Sequence, residues 1–276
     1  KDNAGYPDWT PNWMAAHTAF AQHEMKLSER IGTTASIGIT GYGSSVGRDL
    51  NFLTEPGWGV YYTPNDMSRT SLSLGHSTAL PTLRQLFSSE TGNPALKPAR
   101  AWKSELSHQQ NFRWRWNWTA TTTVFYNHAR DMIDLYAGTY RNINSMDSYG
   151  LELNLISKPL PWWETSLDYA WLGYDSNYTL AESPAHKAVM QNNFTLPGQV
   201  QLGLNSKWEG TRLSADVLGI FHALPSYFRQ DLMLSRKWRI LSLKLGVENA
   251  LDVYYEGQYG YPAPGRNFVA FVAVDI

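Results

Sequence analysis

The chain has 276 residues, a formal charge of −1 and 17% charged residues, against about 25% in ordinary globular proteins. Near-neutral charge gives no reason to expect nucleic acid, the absence of cysteine removes disulfides and thiolate metal sites, and no run of about 18 apolar residues offers a membrane helix. Low charge with 14% aromatics, among them 12 Trp and 16 Tyr, instead fits strands that are apolar on one face, polar on the other and belted by aromatics.

Residues 1–13, with Gly5, Pro7 and Pro11, read as loop, and no apolar stretch follows Lys1-Asp2-Asn3 as a signal peptide requires. An exported protein is therefore expected here in mature form or as a fragment. Strands are predicted at 14–27 and 31–40 around the turn Ser28-Glu29-Arg30, with Ala35, Ile37 and Ile39 on one face and Thr34, Ser36 and Thr40 on the other. The Gly- and Ser-rich stretch 41–56 predicts a long loop. Strands at 57–64 and 68–77 meet at Pro64-Asn65-Asp66, and Leu72 and Leu74 oppose Ser71 and Ser73. Another long loop is predicted over 78–98.

The strand at 99–110 turns at Asn111-Phe112 into the clearest alternation of the chain. Trp114, Trp116, Trp118, Ala120, Thr122, Val124 and Tyr126 alternate with Arg113, Arg115, Asn117, Thr119, Thr121 and Thr123. Three Trp on one face opposite Arg and Asn are hard to place in a soluble core, and are expected of an interfacial girdle beside a short turn. Further strands are predicted at 147–157, 163–174, 186–196, 199–209, 227–238, 240–252 and 265–276. In the last, Phe268, Ala270, Val272, Val274 and Ile276 form an apolar face and Asn267, Val269, Phe271, Ala273 and Asp275 a mixed one. Alone, that strand suits a sandwich core as well as a bilayer.

Short turns at 158–161, 197–198 and 237–239 alternate with long connections near 41–56, 78–98, 136–146, 175–185, 210–226 and 252–264. Strict alternation predicts an all-β, antiparallel, up-and-down transmembrane barrel with tight turns on one rim and large loops on the other. Residues 213–221 are apolar at alternate positions, yet a spanning strand there would reverse the sidedness of everything upstream. They are read as loop or as a hairpin arm beyond the membrane. Trp114, Trp162, Trp163 and Trp238 then gather at the short-turn rim, with Tyr42, Tyr140 and Tyr178 at the other.

The seven histidines, His17, His23, His76, His108, His128, His186 and His222, show no ligand spacing. His17 and His23 share a strand face but lie about 20 Å apart at ~3.3 Å per residue, too far to share a metal. No Gly-x-Ser-x-Gly, Walker loop or His-Glu-x-x-His occurs. Asp131 and Asp134 read as a solvated rim, and no enzymatic activity or cofactor is expected. The long loops carry Tyr42, Arg48, Trp58, Tyr61, Arg84, Tyr140, Arg141, Tyr174, Tyr178, Tyr255, Tyr259, Tyr261 and Arg266. Aromatic faces for stacking and guanidiniums for carboxylate or catecholate pairing suit a planar or anionic metal chelate.

Four local motifs bear on the family. They are Pro81-Thr82-Leu83 leading to Gly92-Asn93-Pro94-Ala95-Leu96-Lys97-Pro98, Tyr149-Gly150-Leu151-Glu152-Leu153, Val247-Glu248-Asn249-Ala250-Leu251-Asp252 with Tyr254-Tyr255, and Gly260-Tyr261-Pro262-Ala263-Pro264-Gly265-Arg266. In this order and spacing the chain resembles TonB-dependent outer-membrane receptors, with Ala99 where that family usually has Glu. The resemblance implies a barrel of twenty-two strands, of which residues 1–276 would supply the last thirteen, and a plug domain for which nothing here matches. It also implies the outer membrane of a Gram-negative bacterium, surrounding lipid, and energy from TonB through the plug. The implied ligand is a metal chelate, a ferric siderophore first, with cobalamin or haem as alternatives. No His lies between Pro81 and Asn93, where haem receptors commonly place one. A barrel whose loops bind a protein partner without transport remains the competing class, and a passive porin is disfavoured.

Overall fold

The computed structural model describes residues 13–45, 50–143, 145–176 and 179–274. One antiparallel sheet accounts for most of them. It opens with β1 (Met14–Lys26), β2 (Ile31–Ser44), β3 (Asn51–Asn65) and β4 (Ser68–Ala79), and continues with β5 (Ala99–Trp114) and β6 (Trp116–Arg130). The short strands β7 (Ile133–Tyr136) and β8 (Thr139–Asn142) stand apart as a hairpin of their own. The sheet resumes with β9 (Met146–Leu160), β10 (Trp163–Ser176), β11 (His186–Leu196) and β12 (Val200–Glu209). A second separate hairpin, β13 (Arg212–Ala215) with β14 (Phe221–Leu224), precedes β15 (Tyr227–Trp238) and β16 (Leu241–Glu248). A third, β17 (Glu256–Gln258) with β18 (Tyr261–Pro262), precedes β19 (Asn267–Val274).

Thirteen strands therefore pair in sequence order, each with the next, from β1 to β19. The predicted count holds, and residues 213–221 fall in the β13–β14 hairpin outside the sheet. Three boundaries differ. The turn expected at Asn111-Phe112 lies at Arg115, because β5 and β6 pair out to Trp114 opposite Trp116 and Arg115 takes φ 60°. The expected loop 41–56 shrinks, because the β2–β3 ladder runs on to Tyr42 opposite Asn51. Gly41 and Gly43 contribute no apolar side chains there, so pairing by backbone leaves no periodicity to read. The strand expected over 240–252 ends at Glu248, because Asn249 turns to φ 50° and its N–H bonds the Asp231 carboxylate at 2.8 Å. In the loop at 80–98, α1 (Leu83–Phe87) begins at a capping box. The Thr82 hydroxyl accepts the Gln85 N–H at 3.2 Å, and the Gln85 side chain accepts the Thr82 N–H at 2.9 Å.

Register assigns the faces. Leu106 lies opposite Val124, Val124 opposite Leu151, and Leu153 opposite Tyr169. On the reverse face Thr121 lies opposite Asn154 and Asn154 opposite Asp168, whose carboxylate accepts the Asn154 amide at 2.6 Å. Only Leu53, Leu86, Leu96, Leu224 and Tyr227 are buried hydrophobics among the described residues, while Leu106, Val124 and Leu234 are each more than 40% exposed. A soluble sandwich would reverse that distribution, so the apolar face is the outside of a barrel wall.

Two aromatic girdles bound this face. Near the short turns Phe112 stacks on Trp118 at 6.5 Å, Trp116 meets Trp163 edge-on at 6.2 Å, and Trp163 stacks on Phe194 at 6.0 Å. Trp114, Trp162 and Trp238 lie at the same rim, as the alternation predicts. Toward the long loops stand Trp102, Tyr126, Tyr149 and Trp171, the last two in edge contact at 5.9 Å. Trp118 to Tyr126 and Trp163 to Trp171 are each eight positions. At ~3.3 Å per residue and ~40° tilt this separates the girdles by about 20 Å, close to the ~25 Å apolar band of outer-membrane barrels. Between them the outward positions of β5, β6, β9 and β10 carry no Lys, Arg, Asp or Glu.

Candidate ligand site at the long-loop rim

Strand alternation brings a group of charges to the polar face where β11, β12 and β15 approach the long loops. Lys187 lies opposite Glu209, Glu209 opposite Tyr227, and Lys207 opposite Arg229. The Glu209 carboxylate takes Lys207 Nζ at 2.7 Å and the Tyr227 hydroxyl at 3.0 Å. Arg229 donates to Asp231 at 2.7 Å and to the Tyr255 hydroxyl at 3.0 Å. Tyr255 comes from the loop after β16 and lies flat on Tyr227, with ring centroids 4.3 Å apart and planes 13° from parallel.

Arg212, at the start of β13, is buried beneath this pair. It donates to the Glu256 carbonyl and stands 5.4 Å from the Tyr227 ring centroid. Among the described residues Glu209 pairs with Lys187, Lys207 and Arg212, and Asp231 pairs with Arg229, while Glu152 and Asp168 line the same cavity as Lys187. Arg212 Nη1, 3.8 Å from the Glu209 carboxylate, and Arg229 Nε are buried and make no hydrogen bond among the described residues. A flat aromatic platform with surplus positive charge stacks planar groups and pairs with anionic oxygens.

Three loops are bolted together beside it. Tyr259 lies on His222 at 3.6 Å with planes 5° apart, and its N–H bonds Ser214 Oγ at 2.9 Å. Glu182 takes Gln258 at 3.1 Å and Ser214 at 3.3 Å. Asp216 shapes the β13–β14 turn, accepting the Leu218 N–H at 2.8 Å and the Ile220 N–H at 2.9 Å, with His222 Nε2 at 2.9 Å. Contact with His222, then the Ile220 and Leu218 N–H groups, hold its carboxyl below the usual range. A depressed carboxyl contributes stability above its unfolded pKa, about 4, and that contribution is lost as pH falls through the lower folded value. Amide exchange at Leu218 and Ile220 is expected to speed up in that acidic window relative to neighbouring loops, and Asp216→Asn should abolish the pH step.

Across the rim, the 80–98 and 131–145 loops are joined by Asn93 to the Tyr140 carbonyl at 2.8 Å and by Tyr140 N–H to Thr91 at 2.9 Å. Asn142 both accepts the Lys97 N–H and donates to the Lys97 carbonyl, each at 2.8 Å. The Asn-Pro-x-Leu motif is thus a clamp between loops.

The residues proposed from sequence separate into groups. Tyr255 belongs to the charged platform, and Tyr259 to the adjoining knot. Tyr42 and Tyr174 sit in β2 and β10 near the same rim, on the polar face. Arg84 is exposed on α1, Arg141 lies over the Tyr136 ring at 5.8 Å, and Tyr140 serves through its backbone. Arg266 donates to the Ala250 carbonyl at 3.0 Å and its N–H bonds Asp252, which fastens the loop. Tyr261 is exposed in β18. Arg48 and Tyr178 lie outside the described residues. Trp58 is not in a loop: it stands within β3 on the apolar face, opposite Ala35 and Leu74. Tyr61 is at the opposite rim, packed over Gly32 with Arg69 4.2 Å from its ring. Both already fall within the strand predicted at 57–64; the start of β3 at Asn51 carries Trp58 deeper into the wall, and Tyr61 lies beside the short turn before Ser68. Lys187, Lys207, Arg212, Tyr227 and Arg229 carry no loop signal, because all but Arg212 lie at the ends of wall strands. Extending the parity of the polar face to the strand ends would have found all of these except Arg212.

The sequence matches the family model for the TonB dependent receptor-like β-barrel over residues 2–250. The chain belongs to this family. Its fold is similar to the copper transporter OprC, at 18% identity and TM-score 0.78, over 95% of this chain and 48% of that one. It is also similar to the ferric-catecholate import receptor Fiu from E. coli, at 16% identity and TM-score 0.76, over 95% and 45%. The pyoverdine receptor FpvA from Pseudomonas aeruginosa, bound to pyoverdine, matches at 15% identity and TM-score 0.75, over 96% and 42%. The chain spans under half the length of each. In a TonB-dependent receptor barrel the polar face lines the lumen, so the Tyr227–Tyr255 platform faces inward beneath the long loops.

Proposed function

We propose that residues 1–276 are the C-terminal part of the barrel of an outer-membrane active transporter that binds a metal chelate at its long loops. The long-loop rim is then extracellular and the Trp-rich rim periplasmic. The observation that carries the reading is the stacked Tyr227–Tyr255 pair ringed by four cations and two carboxylates. An anionic chelate with planar arms, such as a ferric siderophore, matches both features. That Fiu and FpvA bear names of ferric-catecholate and pyoverdine receptors supports the same class. TonB supplies the energy through a plug.

The plug and the remaining wall strands lie outside residues 1–276, on the same or a separate chain. β1 and β19 are each paired on one side only, and lipid offers no partner for the free N–H and C=O groups of an edge. Heat-modifiable migration of residues 1–276 alone should show no closed barrel; a stable closed, transporting species would overturn this part.

The ligand reading is tested on the intact receptor by titrating a ferric tris-catecholate and following tryptophan quenching. Arg229→Gln and Tyr255→Ala are each expected to weaken binding about tenfold or more, since each removes a charged or stacking contact worth about 1.4 kcal/mol. Unchanged affinity in both variants would rule out this platform as the chelate site.

A further inference from the structure

One step beyond the upper girdle, the outward face changes character. Arg100 and Arg130 are direct cross-strand partners on β5 and β6, both exposed, on the face that carries Trp102, Tyr126 and Val124. Like charges directly opposite one another on a sheet repel. Asp147, the carboxylate on this face of β9, does not lie between them: it accepts the Tyr126 hydroxyl at 2.7 Å and stands 2.6 Å from His128 Nδ1. Arg130 Nε donates to His128 Nε2 at 2.8 Å, which leaves its terminal nitrogens uncommitted, and the Arg100 guanidinium makes no hydrogen bond or ion pair among the described residues.

We propose that Arg100 and Arg130 together bind the phosphate of a lipid headgroup whose acyl chains lie on the barrel wall below. The surface is continuous with the apolar band. Trp102 and Tyr126 sit directly beneath, at the depth where aromatic side chains meet headgroups. The two guanidiniums, two residues beyond Trp102 and four beyond Tyr126, are at phosphate depth, and their planar forks match phosphate oxygens bidentately. Neutralisation by a shared phosphate removes the repulsion that the strand pairing imposes. Tyr126, His128 and Asp147 form a fixed chain that orients Arg130, so the site is held from one side before the lipid arrives. The inference rests on the bilayer assignment of the apolar face and is independent of which chelate enters the lumen.

The test is native mass spectrometry of the intact barrel in detergent, titrated with dioleoyl phosphatidic acid or dioleoyl phosphatidylcholine. Wild type should hold phosphatidic acid about tenfold or more tightly than phosphatidylcholine, as two surface guanidiniums favour an anionic headgroup. Arg100→Gln with Arg130→Gln should erase that preference, and Arg100→Lys with Arg130→Lys should keep part of it, because Lys retains charge but not the fork. Heat-modifiable migration checks that each variant folds; Arg100→Gln alone, which disturbs no observed contact, serves if the double variant does not. Inorganic phosphate at millimolar concentration should not compete. Equal preference in wild type and the Gln variants would overturn the proposal. So would displacement of the lipid by free phosphate, which would make this a simple anion site.

Discussion

Leu153→Arg is expected to destabilise the barrel by about 2–4 kcal/mol, whereas Asn154→Arg, one residue away, should cost much less. Leu153 is opposite Thr122 and Tyr169 on the apolar face. It sits four residues from Tyr149 in one girdle and four from Ser157, the partner of Trp118 in the other. That is the midplane, where a guanidinium has no water and the longest path to either interface. Asn154 points the other way, toward Thr121 and Asp168, so an arginine there gains a carboxylate neighbour in a hydrated lumen. Val272→Arg on β19 should cost less than Leu153→Arg, because Val272 pairs with Leu243, which is itself opposite Arg236 near the short-turn rim. The measurement is equilibrium urea unfolding of the intact barrel in lipid bilayers. Equal costs at the two faces would refute the membrane orientation of the wall.

Asn249→Ala is the second large effect, expected at about 2–4 kcal/mol. Asn249 is 1% exposed and sits at φ 50°. Its side chain donates to the Val253 carbonyl at 2.9 Å and the Pro264 carbonyl at 3.3 Å, and accepts the Val253 N–H at 3.0 Å. Few residues other than Gly accept a left-handed backbone; Asn does so at low cost. Alanine would strain the backbone and orphan buried groups at both ends of the 249–266 loop. The loop carries Tyr255, so ligand affinity should fall along with protection from proteolysis. Asn249→Gly separates the two causes: it restores the conformation without the bonds. Stability of Asn249→Gly equal to wild type would show that the hydrogen bonds contribute nothing.

The Asn249 result explains why a short motif is legible. Val247-Glu248-Asn249 reads as the end of a strand only because one polar residue must both break the ladder and tie the loop. The same holds for Asn93, whose side chain clamps Tyr140 47 residues away; the motif is visible, but its partner is not. The platform was half visible. Tyr255 stood out as a loop aromatic, while Arg229 and Lys207 looked like ordinary strand polars until pairing put them on one face. Arg212 carries no signal, because its role comes from contacts with Glu256, 44 positions away, and with the Tyr227 ring.

What the sequence by itself determined was the wall. Side-chain alternation has a period of two and each strand is either in the sheet or out of it, so thirteen strands, two faces and both rims follow from local pattern. The extent of the β2–β3 hairpin did not, since Gly- and Ser-rich strands pair through backbone alone and leave no hydrophobic trace. Nor did the site. Which cation meets which ring depends on register between strands and on how three loops lock over them. Those contacts join residues up to 76 positions apart, as Glu182 and Gln258 do, and only the tertiary structure decides them, because no local periodicity encodes a meeting at that distance.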